Sequence, residues 1–368
     1  MTIAELERME AELLAPTIVE CWSEDSRVEL TCIAVRDITH DIKSFVFAPP
    51  PGQVFRHEPG QFLTLCLQID GAHIERCYTI SSPPTRPHRI SITVKRVPGG
   101  PVSNWLHDNL RAGMSVLVAA PGGAFTLTSP LAPKYLFLSA GSGVTPLMSM
   151  TRTLVDLGAD ADVAFVHSAR TPVDIVFRQE LAGIAADQAG IHVTNVCEDH
   201  HPSEIWTGPR GRLSTGLLSA LVPDLHERIV YTCGPAPYMA SVRQILTDVG
   251  FDMDRYHEES FSFDVPVSTP APPDASSGPA TVGYSVEFVK RGQTITCGPD
   301  QSVLDAALAA GVRLASACGQ GMCGTCKVGL LDGAVDMEHQ GGIRPREIRD
   351  GKILVCCSRP LGDLKIDI

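Results

Sequence analysis

The chain has 368 residues, of which 44% are hydrophobic and 20% charged, and its formal net charge is -12. At roughly 100–200 residues per domain this length implies two to four units, and three are expected. The acidic balance argues against nucleic acid or an anionic membrane surface as the main partner, since both need a clustered positive face, and no apolar run approaches the roughly 18 residues of a membrane span.

Residues 1–27 read as an N-terminal extension. Ile3, Leu6, Met9 or Ala11, and Leu13 are spaced as on a short amphipathic helix, and the stretch lacks the basic region and apolar core of an export signal. The chain has 12 cysteines. Without an export signal they point to metal or redox chemistry in the reducing cytoplasm rather than to a disulfide framework.

Residues 28–130 offer short β-branched runs such as "VELTCIAV", "QFLTLCLQI", "RISITVKRV" and "SVLVAAP" between Pro/Gly turns, the pattern of an antiparallel β-barrel. Residues 131–263 alternate apolar strands ("KYLFLSA", "DVAFVHSA", "IHVTNVC", "RIVYTCG") with helical stretches, which predicts an α/β domain on a parallel sheet. Residues 264–281, rich in Pro, Ala and Ser, read as a linker.

The last unit, residues 282–368, holds ten acidic and ten basic residues, so the whole net charge lies upstream of it. Two strand-like runs, "YSVEFVKRG" and "QTITCGP", precede a helix marked by the capping-box spacing of Ser302 and Asp305, with Leu304, Leu308 and Val312 on one face. In "KVGLLDGAVDM" the Asp332-Gly333 pair reads as a tight hairpin turn. A small α+β fold is expected.

Cys318, Cys323 and Cys326 stand as C-x4-C-x2-C, the spacing that holds three corners of a plant-type [2Fe-2S] cluster; zinc sites prefer paired C-x2-C knuckles. Gly319, Gly321 and Gly324 let the backbone wrap closely and aim N–H groups at sulfur. The fourth ligand must come from the adjacent Cys356 and Cys357. If "KILVC" is a strand on the cluster side, alternation turns Cys357 away. Plant-type ferredoxins typically carry the last cysteine four residues before a proline, as Cys356 stands before Pro360, and on that resemblance Cys356 is the ligand.

"ERCYTISSPP" contains Arg76-x-Tyr78-Thr79, and here the chain resembles the ferredoxin–NADP reductase superfamily. The resemblance implies FAD, with Arg76 on the pyrophosphate, Tyr78 on the isoalloxazine ring and Thr79 near N5; a guanidinium fork suits phosphate and an aromatic face suits a flat ring. "ITVKRVPGGPVSNWLHDNL" supplies Thr93, Lys95, Gly100, Val102 and Ser103 to the same cofactor, its glycine turn leading into a helix whose N-terminus is an anion seat.

"LSAGSGVTPLMSM" places Gly141, Gly143, Thr145 and Pro146 where a strand opens into a helix and backbone must approach a dinucleotide's phosphates. The G-x-G-x-x-P form is that of the reductase family. So is the Cys233-Gly234-Pro235 turn, which the resemblance sets beside the nicotinamide. "YHEESF" matches the family's closing E-x-F, making Glu259 and Phe261 the residues near the flavin. Asp174, after the second strand of this sheet, would repel a 2′-phosphate and favours NADH over NADPH, while Arg170 pulls the other way.

The order flavin, nicotinamide, C-terminal β-grasp ferredoxin resembles the reductase components of multicomponent oxygenases, and within them those serving quaternary-ammonium demethylases such as glycine betaine monooxygenase. That resemblance implies electrons passing from NADH through FAD and [2Fe-2S], one at a time, to a Rieske-type oxygenase. Plant-type clusters lie near about -400 mV and Rieske centres at roughly -150 mV or above, a downhill step of about 6 kcal/mol. A hybrid-cluster, diiron or aromatic-ring oxygenase acceptor, or a redox-sensing binding protein, are the alternatives. His200 and His201 read as a solvated loop, and "MEHQGGI" as a structural loop that could also line a docking face.

Overall fold

The computed structural model describes residues 19–22, 27–260, 283–312, 314, 319, 321, 324, 326–339, 342–343 and 345–368. The expected N-terminal helix, the linker, Phe261, Cys318 and Cys323 therefore lie outside the described residues.

Six strands form the first unit: β1 (Arg27–Asp37), β2 (Ile42–Ala48), β3 (Phe62–Ile69), β4 (Ala72–Thr79), β5 (Ile90–Lys95) and β6 (Ser115–Gly122). They pair antiparallel in the order β4-β3-β6-β1-β2-β5. An antiparallel bridge between Ile80 and Ile92 joins the two edges and closes the sheet on itself. Alternation sends Phe45 and Phe47 of β2, Leu63 and Leu65 of β3, and Ile90 and Ile92 of β5 into one fully buried core. The chain reaches this barrel before residue 28: Val19 and Glu20 pair in parallel with Gln53 and Val54, and the Trp22 ring lies 5.2 Å from Phe55.

The second unit is a parallel sheet, β7 (Lys134–Ala140), β8 (Asp162–Ala169), β9 (Ile191–Cys197), β10 (Ile229–Gly234) and β11 (Tyr256–Ser260), in the order β9-β8-β7-β10-β11. The strands read as continuous apolar runs because both faces are covered. Tyr135, Phe137, Phe165 and Tyr231 pack under α2 (Val144–Asp156). Leu136, Leu138, Val166 and Val230 pack on the opposite face, where α5 (Ala236–Asp248) contributes Val242, Ile245 and Leu246; α1 (Pro101–Asn109), α3 (Arg178–Asp187) and α4 (Thr215–Leu221) complete the helices of these two units.

Helix α2 also clamps the two units together. Ser149 donates to the Ser82 carbonyl at 2.8 Å, Arg152 donates to the Ser81 carbonyl, and Arg86 grips Asp156 through two bonds of 2.9 and 2.7 Å. Residues 81–86 follow directly on β4. The barrel strand with the flavin motif is thus tied to the helix that opens with the coenzyme motif.

The third unit comprises β12 (Tyr284–Phe288), β13 (Gln293–Cys297), α6 (Val303–Ala309), β14 (Lys327–Asp332), β15 (Val335–Met337), α7 (Pro345–Arg349), β16 (Lys352–Leu354), β17 (Ser358–Pro360) and β18 (Leu364–Ile366). Its main sheet has the mixed order β13-β12-β18-β14-β16, with β15 and β17 in a second, two-stranded sheet. The Ser302 side chain caps α6 by accepting from the Asp305 N–H at 3.1 Å, as the spacing predicts.

Two expectations fail in this unit. Leu308 does not share the buried face of Leu304 and Val312: it is 52% exposed, because the helix ends at Ala309 and its short inner face is made by Val303, Leu304, Ala306 and Ala307. Asp332-Gly333 is not a hairpin turn. β14 pairs with β16 and β18, and β15 with β17, so the chain crosses between sheets at Gly333. There φ is +97° and a Cβ would lie 2.3 Å from the Asp363 carbonyl oxygen, which only glycine tolerates.

Candidate functional site

Strand β4 carries Arg76, Tyr78 and Thr79, with Tyr78 packed against the barrel core. Burial pushes the Tyr78 phenol well above its ordinary pKa, with the Arg76 charge opposing. Thr79 is 4% exposed and its Oγ1 is a buried atom with no hydrogen-bond partner. A buried hydroxyl left unpaired costs roughly 1–3 kcal/mol, so a polar atom of a bound group suits this position. Arg76 donates to the Glu75 carbonyl at 2.7 Å, which uses one edge of its guanidinium.

The other expected flavin residues divide. Gly100 is the N-cap of α1, without a side-chain cap, and Val102 is buried in the barrel core. Ser103 is not the cap. Its Oγ accepts from the Val97 N–H at 3.1 Å and donates to the Gly100 carbonyl at 3.3 Å, bracing the turn that precedes the helix. Thr93 faces inward: its hydroxyl meets Ser44 at 2.7 Å and Ser81 at 2.9 Å. Lys95 pairs with Asp41 at 3.4 Å. The hydroxyl network of Ser44, Thr93 and Ser81 was not visible in the motifs, because it joins β2, β5 and the segment after β4.

At the carboxyl ends of the parallel strands the coenzyme motifs converge. Gly141 has φ +54°, and a Cβ on Gly143 would lie 2.3 Å from the Cys233 carbonyl oxygen and 2.6 Å from the Gly234 nitrogen. The two glycine-bearing turns are therefore in direct backbone contact. Thr145 donates back to the Ser142 carbonyl at 3.0 Å, Pro146 is buried in α2, and Pro235 is the N-cap of α5. A Cβ on Gly234 would lie 2.8 Å from the Tyr238 ring. Cys233 and Glu259 are in register on adjacent strands and both are buried. Burial, then the Glu259 charge, holds the Cys233 thiol pKa far above its ordinary value, so this sulfur stays protonated and is no nucleophile.

Asp174, expected to disfavour a 2′-phosphate, is held in the turn after β8. Its Oδ2 accepts from the Thr171 N–H at 3.0 Å and the Thr171 hydroxyl at 2.6 Å, and its Oδ1 lies 3.6 Å from Arg170 and 3.9 Å from His40. It braces the turn after β8, while the Arg170 side chain is 64% exposed. His200 and His201 form a compact loop: His200 Nδ1 accepts from the Trp206 N–H at 2.9 Å, and His201 Nδ1 lies 2.6 Å from the Ser203 hydroxyl.

In the third unit Cys326 and Cys356 bring their sulfurs to 3.1 Å, and the Gly321 N–H donates to Cys356 Sγ at 3.2 Å. Gly319, Gly321 and Gly324 all have φ between +68° and +73°. This donor set, two apposed thiols under a backbone N–H in a glycine-bent loop, fits an iron–sulfur cluster. The premise of strand alternation does not hold, since β16 ends at Leu354 and residues 355–357 form a turn closed by the Cys357 N–H on the Leu354 carbonyl at 3.1 Å. Cys357 is half-buried beside the same loop, and a Cβ on Gly321 would lie 2.6 Å from its sulfur. Met337 and Gly342 of "MEHQGGI" brace the site: Met337 Sδ accepts from the Leu354 N–H at 3.3 Å and the Gly342 N–H donates to the Gly321 carbonyl at 2.9 Å.

Three family models match: an oxidoreductase FAD-binding domain over residues 29–127, an oxidoreductase NAD-binding domain over 137–244 and a 2Fe-2S iron-sulfur cluster binding domain over 287–361. The glycine betaine monooxygenase reductase subunit of Pseudomonas aeruginosa is 43% identical, with 98% of this chain and 100% of the relative covered. The chain belongs to the family of these reductase subunits. The stachydrine N-demethylase reductase subunit of Rhizobium meliloti is 40% identical to this reductase over 94% of the chain and 97% of the relative. Phthalate dioxygenase reductase, a solved structure described as a modular path for electron transfer from pyridine nucleotides to [2Fe-2S], superposes with a TM-score of 0.56 at 25% identity, covering 93% of this chain and 98% of that one. The reductase is an oxidoreductase built from FAD-binding, NAD-binding and 2Fe-2S domains. Among the described residues, no helix is long and apolar enough to cross a membrane.

Proposed function

We propose that this reductase, in the cytoplasm, takes a hydride from NADH and delivers single electrons to a Rieske-type monooxygenase that demethylates a quaternary ammonium compound such as glycine betaine. The likeness that carries the reading is the full-length match to the glycine betaine monooxygenase reductase subunit. The proposed modules are residues 28–130 for FAD, 131–263 for the coenzyme, a 264–281 linker and 282–368 for the cluster, after an extension of residues 1–27.

Bound FAD and [2Fe-2S] supply the conversion of a two-electron donor into a one-electron carrier. The chain's part is to hold and orient. Arg76 and the N-terminal turn of α1, with Gly100, Val102 and Ser103, would hold the FAD phosphates, supported by Thr93 and Lys95 of β5. Tyr78 would face the flavin ring and Thr79 Oγ1 would hydrogen-bond at its edge. Gly141, Gly143, Thr145 and Pro146 would seat the NADH phosphates, with Arg170 and Asp174 near the adenosine end; Cys233, Gly234 and Pro235 would pack on the nicotinamide, with Glu259 and Phe261 at the flavin. Cys318, Cys323, Cys326 and Cys356 would ligate the cluster, Cys326 and Cys356 being close enough to serve one iron.

The test is anaerobic titration of holoprotein with NADH and with NADPH, then mixing with candidate oxygenases in the presence of dioxygen. Flavin bleaching and a cluster EPR signal on NADH, followed by betaine-dependent NADH oxidation only with a quaternary-ammonium oxygenase, are expected. Bleaching with no transfer to that partner would overturn the choice of acceptor, and no bleaching with either nucleotide would overturn the reductase reading.

A further inference from the structure

Register in the parallel sheet stacks two rows of side chains across the same face. In the lower row Phe165, Phe137, Tyr231 and His257 are mutual strand partners, joined by edge-on ring contacts and by the stacked Tyr231–His257 pair at 4.5 Å. Two residues on, the upper row is His167, Ser139, Cys233 and Glu259, again partner to partner. The upper row lies where β7 runs into the Gly141–Gly143 turn and where β10 reaches Gly234.

A fully apolar upper row would extend the core below it and bury well. This one instead places an imidazole and a hydroxyl where both are 0% exposed. Their single mutual bond, Ser139 Oγ to His167 Nδ1, is 2.8 Å, and Nε2 has no partner. Burial holds the His167 imidazole neutral, its pKa pushed down to about 4. Buried polar groups cost free energy unless an interaction offsets it. The folding core gives no account of this pair, and its next neighbour along the row is Cys233.

We propose that His167 is a positioning residue for hydride transfer, acting through Ser139 on Cys233. The His167 ring holds the Ser139 hydroxyl in one place, and Ser139, the strand partner of Cys233, would pack beside the thiol and limit its rotamers against the nicotinamide. Because the Cys233 carbonyl abuts Gly143, the same fixation holds the glycine turn. The inference rests on the proposed reading of this chain as an NADH-driven flavin reductase, which wild-type flavin reduction by NADH tests separately.

Stopped-flow reduction of the FAD-loaded protein by NADH and by its 4-deuterated form gives the rate at saturation, the apparent Kd and the isotope effect. His167→Phe should slow the saturated rate about tenfold, or about 1.4 kcal/mol, raise the isotope effect, and change the apparent Kd less than twofold. His167→Asn, which offers an amide N–H near the Nδ1 position, should recover to within about threefold of wild type. Ser139→Ala should match His167→Phe, and the double variant should be no slower than either alone. If His167→Phe fails to fold, the saturated rate and isotope effect of Ser139→Ala, read beside those of His167→Asn, decide the matter. An unchanged saturated rate in Ser139→Ala, additive losses in the double variant, or no rescue by asparagine would each overturn the proposal while leaving wild-type NADH oxidation intact.

Discussion

The coenzyme end and the cluster end of this reductase reach order by different means. At the coenzyme end, side chains from two units interlock: Arg152, one of the three links that clamp α2 on the barrel, also pairs with Glu180 at 2.6–2.7 Å and lies 4.8 Å over the Phe177 ring. At the cluster end the described loop is shaped by glycine backbone, with one N–H on a sulfur. A hydride must travel between two rings held in contact, and a small displacement is costly. An electron can pass between carriers that do not touch, so the cluster end does not need that direct contact.

The largest effect should come from removing a proposed ligand. Cys356→Ser is expected to abolish the cluster's visible absorbance and EPR signal and to cut cytochrome c reduction by about 100-fold, with flavin-level dye reduction within about twofold of wild type; Cys357→Ser should keep the cluster. Equal loss of both activities in Cys356→Ser would erase the distinction between the two ends. Gly143→Ala is the converse: its methyl would drive into the Cys233 carbonyl, so NADH-driven flavin reduction should fall at least tenfold while dithionite still reduces the cluster fully.

Arg152→Ala should cost less, roughly three- to tenfold in flavin reduction and about 1–3 kcal/mol in the melting of the two-domain body, read by calorimetry. The last effect, read in stability rather than in flavin reduction, is in pH. Burial lowers the pKa of His57 in the barrel and of His167 in the sheet to about 4 each. Their unfolded forms bind protons first, so each contributes stability that is complete above about pH 6.5 and declines by about 1.4 kcal/mol per pH unit as pH falls toward 4. Asp224, held down to about 2 by its hydrogen bond from Arg228, begins to cost stability only below about pH 4. A melting temperature flat from pH 7 to 5 would show that the histidines are not buried in the working protein.

The fold was legible because its signals are local and repeated. Alternation marked the barrel strands, and apolar runs such as "KYLFLSA" marked a sheet covered on both faces. What escaped depends on register between distant strands. Ser139 and His167 lie 28 positions apart, and nothing in "LSAG" or "VHSA" alone says that they meet. Asp174 was read for its charge, yet its carboxylate closes a turn three residues long. Leu308 kept a helical spacing but falls outside the short inner face of α6, and Asp332-Gly333 carried turn chemistry that serves a crossing between sheets. Cys356 was chosen for a proline offset; its sulfur lies 3.1 Å from that of Cys326, and the turn at 355–357 replaces the strand that was expected.

The contact of Gly143 with the Cys233 carbonyl gives the parallel sheet the character of a caliper. One jaw is the turn proposed to grip the dinucleotide's phosphates and the other is the turn proposed to touch its nicotinamide, and no side chain lies between them to flex. The span from phosphate to reactive ring is then gauged by backbone alone, and a coenzyme of another length would meet one jaw and miss the other.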